Sequence, residues 1–289
     1  MRRTALLLAI VALAVAGCGG GSPGGELGYD ADAPLDVHEG AGATRDGVVV
    51  QDISYTSGDD RVEAYLVSPP RTGAQLPAVV FLHGAGGDRT EQLGTAAELA
   101  KRGAIALTIT APSGKKSPPS GLTSEELVRW QGDTIAADIV AVRRGFDVLD
   151  ASERVDGGRL GLVGWSMGGR LASIVAGVDD RARATVLMSV GAEPVSAYVD
   201  AAPAELRDVV QEVLEPIDPL TRVDDASGAL FIQAGRLDSI VPRRALQAVI
   251  DAAPEETKVE WYPADHALDG RARSDRLDWL SEQLGIGGS

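Results

Sequence analysis

Short apolar runs alternate with longer amphipathic stretches along most of this chain. The runs PAVVFLHG (77–84), AIALTITAP (104–112) and RLGLVGWS (159–166) have the length and apolar content of buried strands. EQLGTAAELAKRG (91–103) and the stretch 124–150 repeat apolar residues at helical spacing instead. This alternation predicts an α/β fold, with a mostly parallel central sheet and helices on both faces.

Further elements are predicted on both sides of this region. VVVQDISY and RVEAYLVS are separated by a short polar turn, which predicts an antiparallel N-terminal strand pair starting near Val48. ATVLMSVG, ALFIQAG and KVEWYPA supply three more strands, and SDRLDWLSEQLG is predicted as a closing helix with Ser274 as its N-cap. At this length, residues 48–289 are expected to form a single domain.

One segment interrupts the alternation between two predicted strands. It begins near Gly191, is longer than an ordinary crossover and contains at least one helix. Residues 193–223 are predicted to form either a small lid over the carboxyl edge of the sheet or a crossover helix with an irregular approach. The sequence leaves both alternatives open.

The first 18 residues have the form of an export signal. Two arginines precede twelve apolar residues, Ala5 to Ala16, a run too short to cross a hydrocarbon core of about 30 Å comfortably. VAGC at 15–18 resembles the lipobox of bacterial lipoproteins, which predicts removal of residues 1–17 and lipid attachment to Cys18, the only cysteine. The chain is therefore expected to be an extracytoplasmic membrane lipoprotein; a plain secretory signal is the alternative.

The mature chain is predicted to begin with a flexible stretch and to carry a strongly negative net charge. Residues 18–47 are predicted to form a flexible tether. Without residues 1–17 the chain has 25 basic and 42 acidic residues, a net charge of −17. Such a surface repels phosphate groups, so no nucleic-acid partner is expected, and membrane attachment would depend on the lipid.

The stretch GWSMG places Ser166 between Gly164 and Gly168, where a predicted strand meets a predicted helix. The glycines leave room for the sharp turn that this junction needs. Such a turn holds the serine hydroxyl above the carboxyl edge of the sheet, where ligands bind in parallel α/β folds. Ser166 is the candidate nucleophile, and a small residue in a tight turn is the alternative.

A serine nucleophile needs a general base, and the chain has three histidines. His38 lies in the predicted tether. His83 directly follows a strand in FLHGAGG, where its ring is expected to brace the loop. His266 lies in YPADHAL, after the last strand and at the carboxyl edge, and is the predicted base.

The base needs an acid to orient it. Asp238, in ALFIQAGRLDSIVP, follows the preceding buried strand and reaches the same edge of the sheet. Glu193 is the main rival, and Asp265 is disfavoured because adjacent residues rarely place their side chains for this contact. The chain order Ser, Asp, His is the one expected for this sheet topology.

Two further features complete the predicted site. The glycine-rich loop HGAGG can turn backbone N–H groups inward, so Ala85 and Met167 are expected to stabilise an oxyanion. Trp165 lies beside the nucleophile, where it either lines the substrate pocket or packs into the sheet.

Taken together, these motifs resemble the α/β-hydrolase superfamily, and within it the dienelactone-hydrolase-like and acyl-peptidase-like serine hydrolases. HGAGG, GWSMGG, GRLDSIVP and DHAL occur in the family's order, over roughly Val48 to Leu284. The resemblance implies an α/β-hydrolase fold and ester-type chemistry. Dienelactone hydrolases proper carry a cysteine nucleophile where this chain has Ser166, so the resemblance does not extend to dienelactone as substrate.

The sequence thus predicts an exported serine hydrolase acting on a small-molecule carboxylic ester. No cofactor is expected, because the scattered histidines form no metal-ligand cluster and the glycine run 164–169 lacks both the P-loop lysine and the dinucleotide spacing.

Two alternatives remain. One is a peptidase or amidase of the acyl-peptidase type, which is disfavoured because those relatives usually carry a large additional N-terminal domain. The other is a non-catalytic surface binding protein on the same fold, which would not need a nucleophile, a base and an acid together.

Overall fold

A computed structural model of the chain describes residues 27–70 and 73–287. Nine strands of this part form one sheet in the order β1-β2-β3-β5-β4-β6-β7-β8-β9. The strands are β1 (His38–Arg45), β2 (Val48–Ser57), β3 (Asp60–Ser68), β4 (Leu76–Leu82), β5 (Ile105–Ile109), β6 (Val155–Trp165), β7 (Ala182–Met188), β8 (Ala229–Gly235) and β9 (Lys258–Tyr262). The first three strands are antiparallel to their neighbours, and β4 to β9 run parallel. The predicted fold class, a mostly parallel sheet with an antiparallel N-terminal strand pair, is confirmed.

Of the α-helices of the described residues, α1 to α7 connect the parallel strands and α8 follows the last one. They are α1 (Leu93–Lys101), α2 (Ser124–Asp150), α3 (Met167–Val178), α4 (Val195–Ala201), α5 (Arg207–Leu214), α6 (Pro219–Asp224), α7 (Arg243–Ala252) and α8 (Gly270–Leu284). The predicted helix 124–150 has the observed bounds of α2. Thr123 and Glu126 form a capping box that fixes where this helix begins.

Each face of the sheet has its own apolar core. Val80 and Leu82 of β4 pack on the side of α2 and α3, whereas Val79 and Phe81 pack on the side of α1 and α8. This alternation follows from the two-residue period of a strand. Because β4 and β6 to β9 are parallel, their carboxyl ends meet at one edge, where loops from different strands come together.

The N-terminal segment differs from the prediction. Residues 27–47 were expected to belong to a flexible tether, but β1 pairs with β2, and the side chain of Leu27 is buried. The Tyr29 hydroxyl donates a hydrogen bond to Asp147 of α2 (3.0 Å), and the Arg144 guanidinium donates to backbone carbonyls of the same segment. The two partners of each of these hydrogen bonds are more than 100 residues apart in sequence, so local composition could not reveal them.

The start of the closing helix also differs from the prediction. Asp269, not Ser274, is the N-cap of α8, and its carboxylate accepts a hydrogen bond from the backbone N–H of Ala272 (2.9 Å). The apolar period marked the helix, but Asp269, a residue type as favourable at an N-cap as serine, lies five residues earlier and caps it.

Residues 1–17 and Cys18, the predicted signal peptide and lipidation site, lie outside the described residues. Among the residues that are described, no helix is both long enough and apolar enough to span a bilayer.

Candidate active site

Ser166 lies at the junction of β6 and α3, in a strained backbone conformation. Its φ of 55° and ψ of −112° are values that residues other than glycine rarely adopt. Its N–H donates to the carbonyl of Met188 at the end of β7 (2.9 Å). A Cβ atom at Gly164 would collide with the carbonyl of Gly168, and one at Gly168 would lie 2.5 Å from the carbonyl of His83. The two glycines therefore permit the sharp strand-to-helix turn that the motif predicted.

Asp238 and His266 meet above the ends of β8 and β9. The His266 Nδ1 lies 2.8 Å from Asp238 Oδ2, and the Asp238 side chain is 1% exposed. The other carboxylate oxygen accepts the backbone N–H groups of Ile240 (2.8 Å) and Val241 (2.9 Å). With Nδ1–H donating to the carboxylate, a neutral His266 keeps Nε2 as its free acceptor.

The two rival acids make other contacts. Glu193 accepts a hydrogen bond from the Arg244 guanidinium (3.0 Å), and Asp265 accepts the backbone N–H of Ala267 (3.0 Å). Among the three predicted acids, the geometry favours Asp238.

The backbone carbonyl of His266 accepts two hydrogen bonds from the middle of the sheet. The donors are the Trp165 indole N–H (2.9 Å) and the Ser189 hydroxyl (2.8 Å). Ser189 is fully buried and has a φ of 48°. These bonds tie the histidine loop to the ends of β6 and β7. Sequence reasoning missed Ser189, because a serine after a strand is too common to indicate such a contact.

Trp165 lies between the core and the candidate histidine. Its ring packs against the core on the α1/α8 side and lies 5.4 Å from the His266 ring, centroid to centroid. Trp165 therefore packs towards the sheet and also borders His266, and its role in lining the substrate pocket stays a prediction.

The HGAGG loop is held by internal hydrogen bonds. The backbone N–H of Ala111 donates to His83 Nε2 (2.9 Å), so Nδ1 carries the proton that is shared with the Gly84 carbonyl (2.7 Å). The predicted bracing role of His83 is confirmed. The Gly84 N–H donates to Glu91 (2.7 Å). Ala85, the next residue, is exposed at the top of this loop.

Met167 contributes a helix N-terminus to the same region. It is the first residue of α3, and the first N–H groups of a helix have no acceptor within that helix. The positive end of the helix dipole also favours negative charge at this point.

A cavity of about 630 Å³ lies beside the elbow, between α2, α3 and the segment from α4 to α6. Its walls are mostly apolar, with Ile135 on α2, Leu171 on α3 and Val195 on α4, and Met167, the residue after Ser166, also lines it. Residues 193–223 consist largely of three short helices and two 3₁₀ turns and form one wall. The segment therefore differs from a single crossover helix, and its role as a lid stays a prediction.

One ionisable group in the cavity wall is buried. Asp138 of α2 is 2% exposed and accepts the backbone N–H of Ser113 (2.9 Å). Burial raises the pKa of the Asp138 carboxyl above its ordinary value, although the hydrogen bonds from Ser113 oppose the shift.

We expect Asp138→Asn to stabilise the protein at neutral pH. An ionised Asp138 costs free energy in the fold, so its contribution is present below the unfolded pKa of about 3.9 and is lost as pH rises through the higher folded value. The asparagine still accepts the Ser113 N–H but carries no charge. The free energy of unfolding should rise by about 0.5–2 kcal/mol at pH 7, with the gain disappearing in acid.

Urea unfolding at pH 7 and at pH 3.5 measures this effect. Asp133→Asn, at an exposed position of the same helix, is the matched control and should change neither value. A gain for Asp138→Asn that is equal or larger at pH 3.5 would contradict the pKa direction.

The model of the dienelactone hydrolase family matches residues 62–281, a range that includes the elbow, Asp238 and His266. The chain belongs to the dienelactone hydrolase family. It is therefore a serine hydrolase of the esterase type on an α/β-hydrolase fold. No curated protein matches the chain in sequence.

Solved structures of esterases share the fold of this hydrolase. An acetyl xylan esterase from Paenibacillus sp. is 18% identical with a TM-score of 0.72, covering 87% of this chain and 90% of that one. Acetyl xylan esterase 1 from Thermoanaerobacterium sp. is 15% identical with a TM-score of 0.71 (86% and 88% covered). A cold-adapted esterase from an Arctic intertidal metagenomic library is 18% identical with a TM-score of 0.64 (85% and 98% covered). At these identities the likeness concerns the fold alone.

Proposed function

We propose that this hydrolase cleaves a small-molecule carboxylic ester through an acyl-enzyme intermediate, with Ser166 as nucleophile, His266 as base and Asp238 as orienting acid. The observation that carries the proposal is the 2.8 Å bond between His266 and the buried Asp238, at the sheet edge where the Ser166 elbow also lies. The second support is that the strained turn at Ser166 belongs to the nucleophile-elbow geometry.

In the first half-reaction, the Ser166 Oγ attacks the acyl carbon while His266 Nε2 takes its proton. The tetrahedral oxyanion receives hydrogen bonds from the backbone N–H groups of Met167 and Ala85. Asp238 stabilises the imidazolium and keeps Nδ1 protonated throughout. The C–O bond then breaks, the alcohol leaves with the proton from Nε2, and the acyl group stays on Ser166.

In the second half-reaction, water replaces the alcohol. His266 removes a proton from the water as its oxygen attacks the acyl carbon, and the same proton returns to Ser166 Oγ as the carboxylic acid departs. No redox step or added cofactor is needed.

The kind of bond that is cleaved separates this proposal from the peptidase alternative. We expect p-nitrophenyl esters to be hydrolysed with kcat/KM at least about 10³-fold above that of an aminoacyl p-nitroanilide, because the intrinsically better leaving group of an ester demands less from the acid. Comparable rates on both substrates would favour the peptidase. Absence of turnover and of covalent labelling by a fluorophosphonate would favour the binding protein.

We further propose that the hydrolase is exported and anchored through a lipid on Cys18. The support is the sequence alone: the apolar run and the VAGC ending. In bacteria producing the full chain, labelled palmitate should enter the protein and should be lost in Cys18→Ser. Label that persists in the variant would contradict the anchor.

A further inference from the structure

The two residues that flank Ser166 in sequence, Trp165 and Met167, have different surroundings. On one side, the His266 ring lies against Trp165, whose side chain belongs to the core on the α1/α8 face. On the other side, Met167 and Leu171 of α3 face the 630 Å³ cavity on the α2/α3 face. An ester bound to Ser166 would therefore have one half near the histidine and the other half near the cavity.

The proposed mechanism determines on which side the alcohol half and the acyl half of the ester lie. His266 returns its proton to the departing oxygen, so the alcohol half must lie on the histidine side. The acyl half remains bonded to Ser166, and Met167, which follows the nucleophile, borders the cavity. The cavity is therefore the space that is open to the acyl chain.

The cavity offers the ligand few unpaired polar groups. The carboxylate of Asp138 is bonded to Ser113, and that of Glu193 is paired with Arg244. Asp218 caps α6 through the Leu220 N–H (3.1 Å) and accepts the Thr221 hydroxyl. With its acids engaged in the protein, the wall presents mainly apolar side chains.

Three exposed polar side chains also line this wall: Gln131 of α2, Arg170 of α3 and Tyr198 of α4. Arg170 lies one helical turn after Ser166. Because all three are exposed to solvent, they belong to the rim of the cavity rather than to its apolar interior.

The cavity is larger than a small acyl group needs. Its volume of about 630 Å³ lies within the range of about 300–1,000 Å³ that holds drug-sized ligands. A two-carbon acyl group would leave most of this apolar space to water, whereas a longer chain would displace that water and bury its own methylenes.

Resting on the proposed function, we propose that the cavity is the acyl site and that the substrates are esters of bulky apolar carboxylic acids, such as medium-chain alkanoic or arylalkanoic acids. Val195 of α4 forms part of the outer wall, so the α4–α6 segment determines the length of chain that fits.

Two ester series test this assignment. In p-nitrophenyl esters from acetate to octanoate, kcat/KM should rise by up to about fourfold per methylene until the cavity is full. In acetate esters of alcohols from methanol to octanol, which leave the acyl group constant, kcat/KM should change little.

Filling the cavity should remove the dependence of kcat/KM on the length of the acyl chain. We expect Val195→Trp to lower kcat/KM for octanoate at least tenfold and to leave acetate within about twofold, since the larger ring occupies space that only the long chain uses. Val199→Trp, the same substitution one turn later on α4 and outside the cavity wall, should behave like the wild type. Thermal unfolding of both variants checks that they fold.

Three results would overturn the assignment: a wild type that prefers acetate, equal losses on acetate and octanoate in Val195→Trp, or an effect of that variant on the alcohol series instead. Hydrolysis of acetate in each case would leave the proposed function standing. Failure to hydrolyse any ester would overturn the proposed function and the acyl assignment together.

Discussion

Replacing Ser166 with alanine is expected to lower kcat by about 10⁴- to 10⁶-fold and to abolish covalent labelling by a fluorophosphonate. The substitution removes the only atom that can form the acyl-enzyme bond in the proposed mechanism, and it leaves the backbone turn and both flanking glycines in place. Ester hydrolysis, together with mass spectrometry of the labelled protein, measures both effects on the same samples.

Ser173→Ala is the matched control for this experiment. Ser173 is a fully buried serine of α3, the helix that follows Ser166, and its hydroxyl donates to the carbonyl of Arg170 (2.8 Å). Its removal should cost some stability and leave the labelling unchanged. If Ser166→Ala still became labelled, or if Ser173→Ala lost the label while remaining folded, the nucleophile would have been misassigned.

Replacing Asp238 with asparagine should lower kcat by about 10³- to 10⁴-fold with a far smaller effect on KM. The asparagine carbonyl can still accept the N–H groups of Ile240 and Val241, so the loop should keep its shape. Its NH₂ group would then face His266 Nδ1 as a donor, which favours the tautomer with the proton on Nε2. That tautomer cannot take the proton from Ser166.

The rival acids serve as controls for Asp238. Asp265→Asn removes the carboxylate next to His266 in sequence, and Glu193→Gln removes the one paired with Arg244. Both should retain kcat within about threefold. A loss in either control as large as that in Asp238→Asn would move the role of orienting acid to that residue.

Much of the fold could be predicted from periodicity because its elements are long and regular. The predicted helix 124–150 has the observed bounds of α2, because its apolar residues recur at helical spacing and a capping box marks its first turn. The strand β1 was missed because the stretch His38–Arg45 is exposed along its whole length and has no apolar face to reveal it. It pairs with β2 through backbone hydrogen bonds, which leave no signature in the side chains.

The residues of the candidate site also fall into those that the sequence could predict and those that it could not. The partners Asp238 and His266 could be predicted because Asp238 follows a buried strand and His266 follows the last strand, and parallel strands bring such positions to one edge. Ser189 could not be predicted, because its contact is with the backbone carbonyl of His266, a group present at every residue.

By itself, the sequence determined the order of the strands from β2 to β9 and of the longer helices, and the types of residue at each strand end, because hydrophobic period and turn chemistry are local properties. Only the tertiary structure decided that Leu27 and Tyr29 fix the N-terminal segment to α2, that Trp165 packs beside the histidine, and that a 630 Å³ cavity opens next to Met167. Each of these depends on groups far apart in the chain, and the space between packed elements has no counterpart in any local pattern of residues.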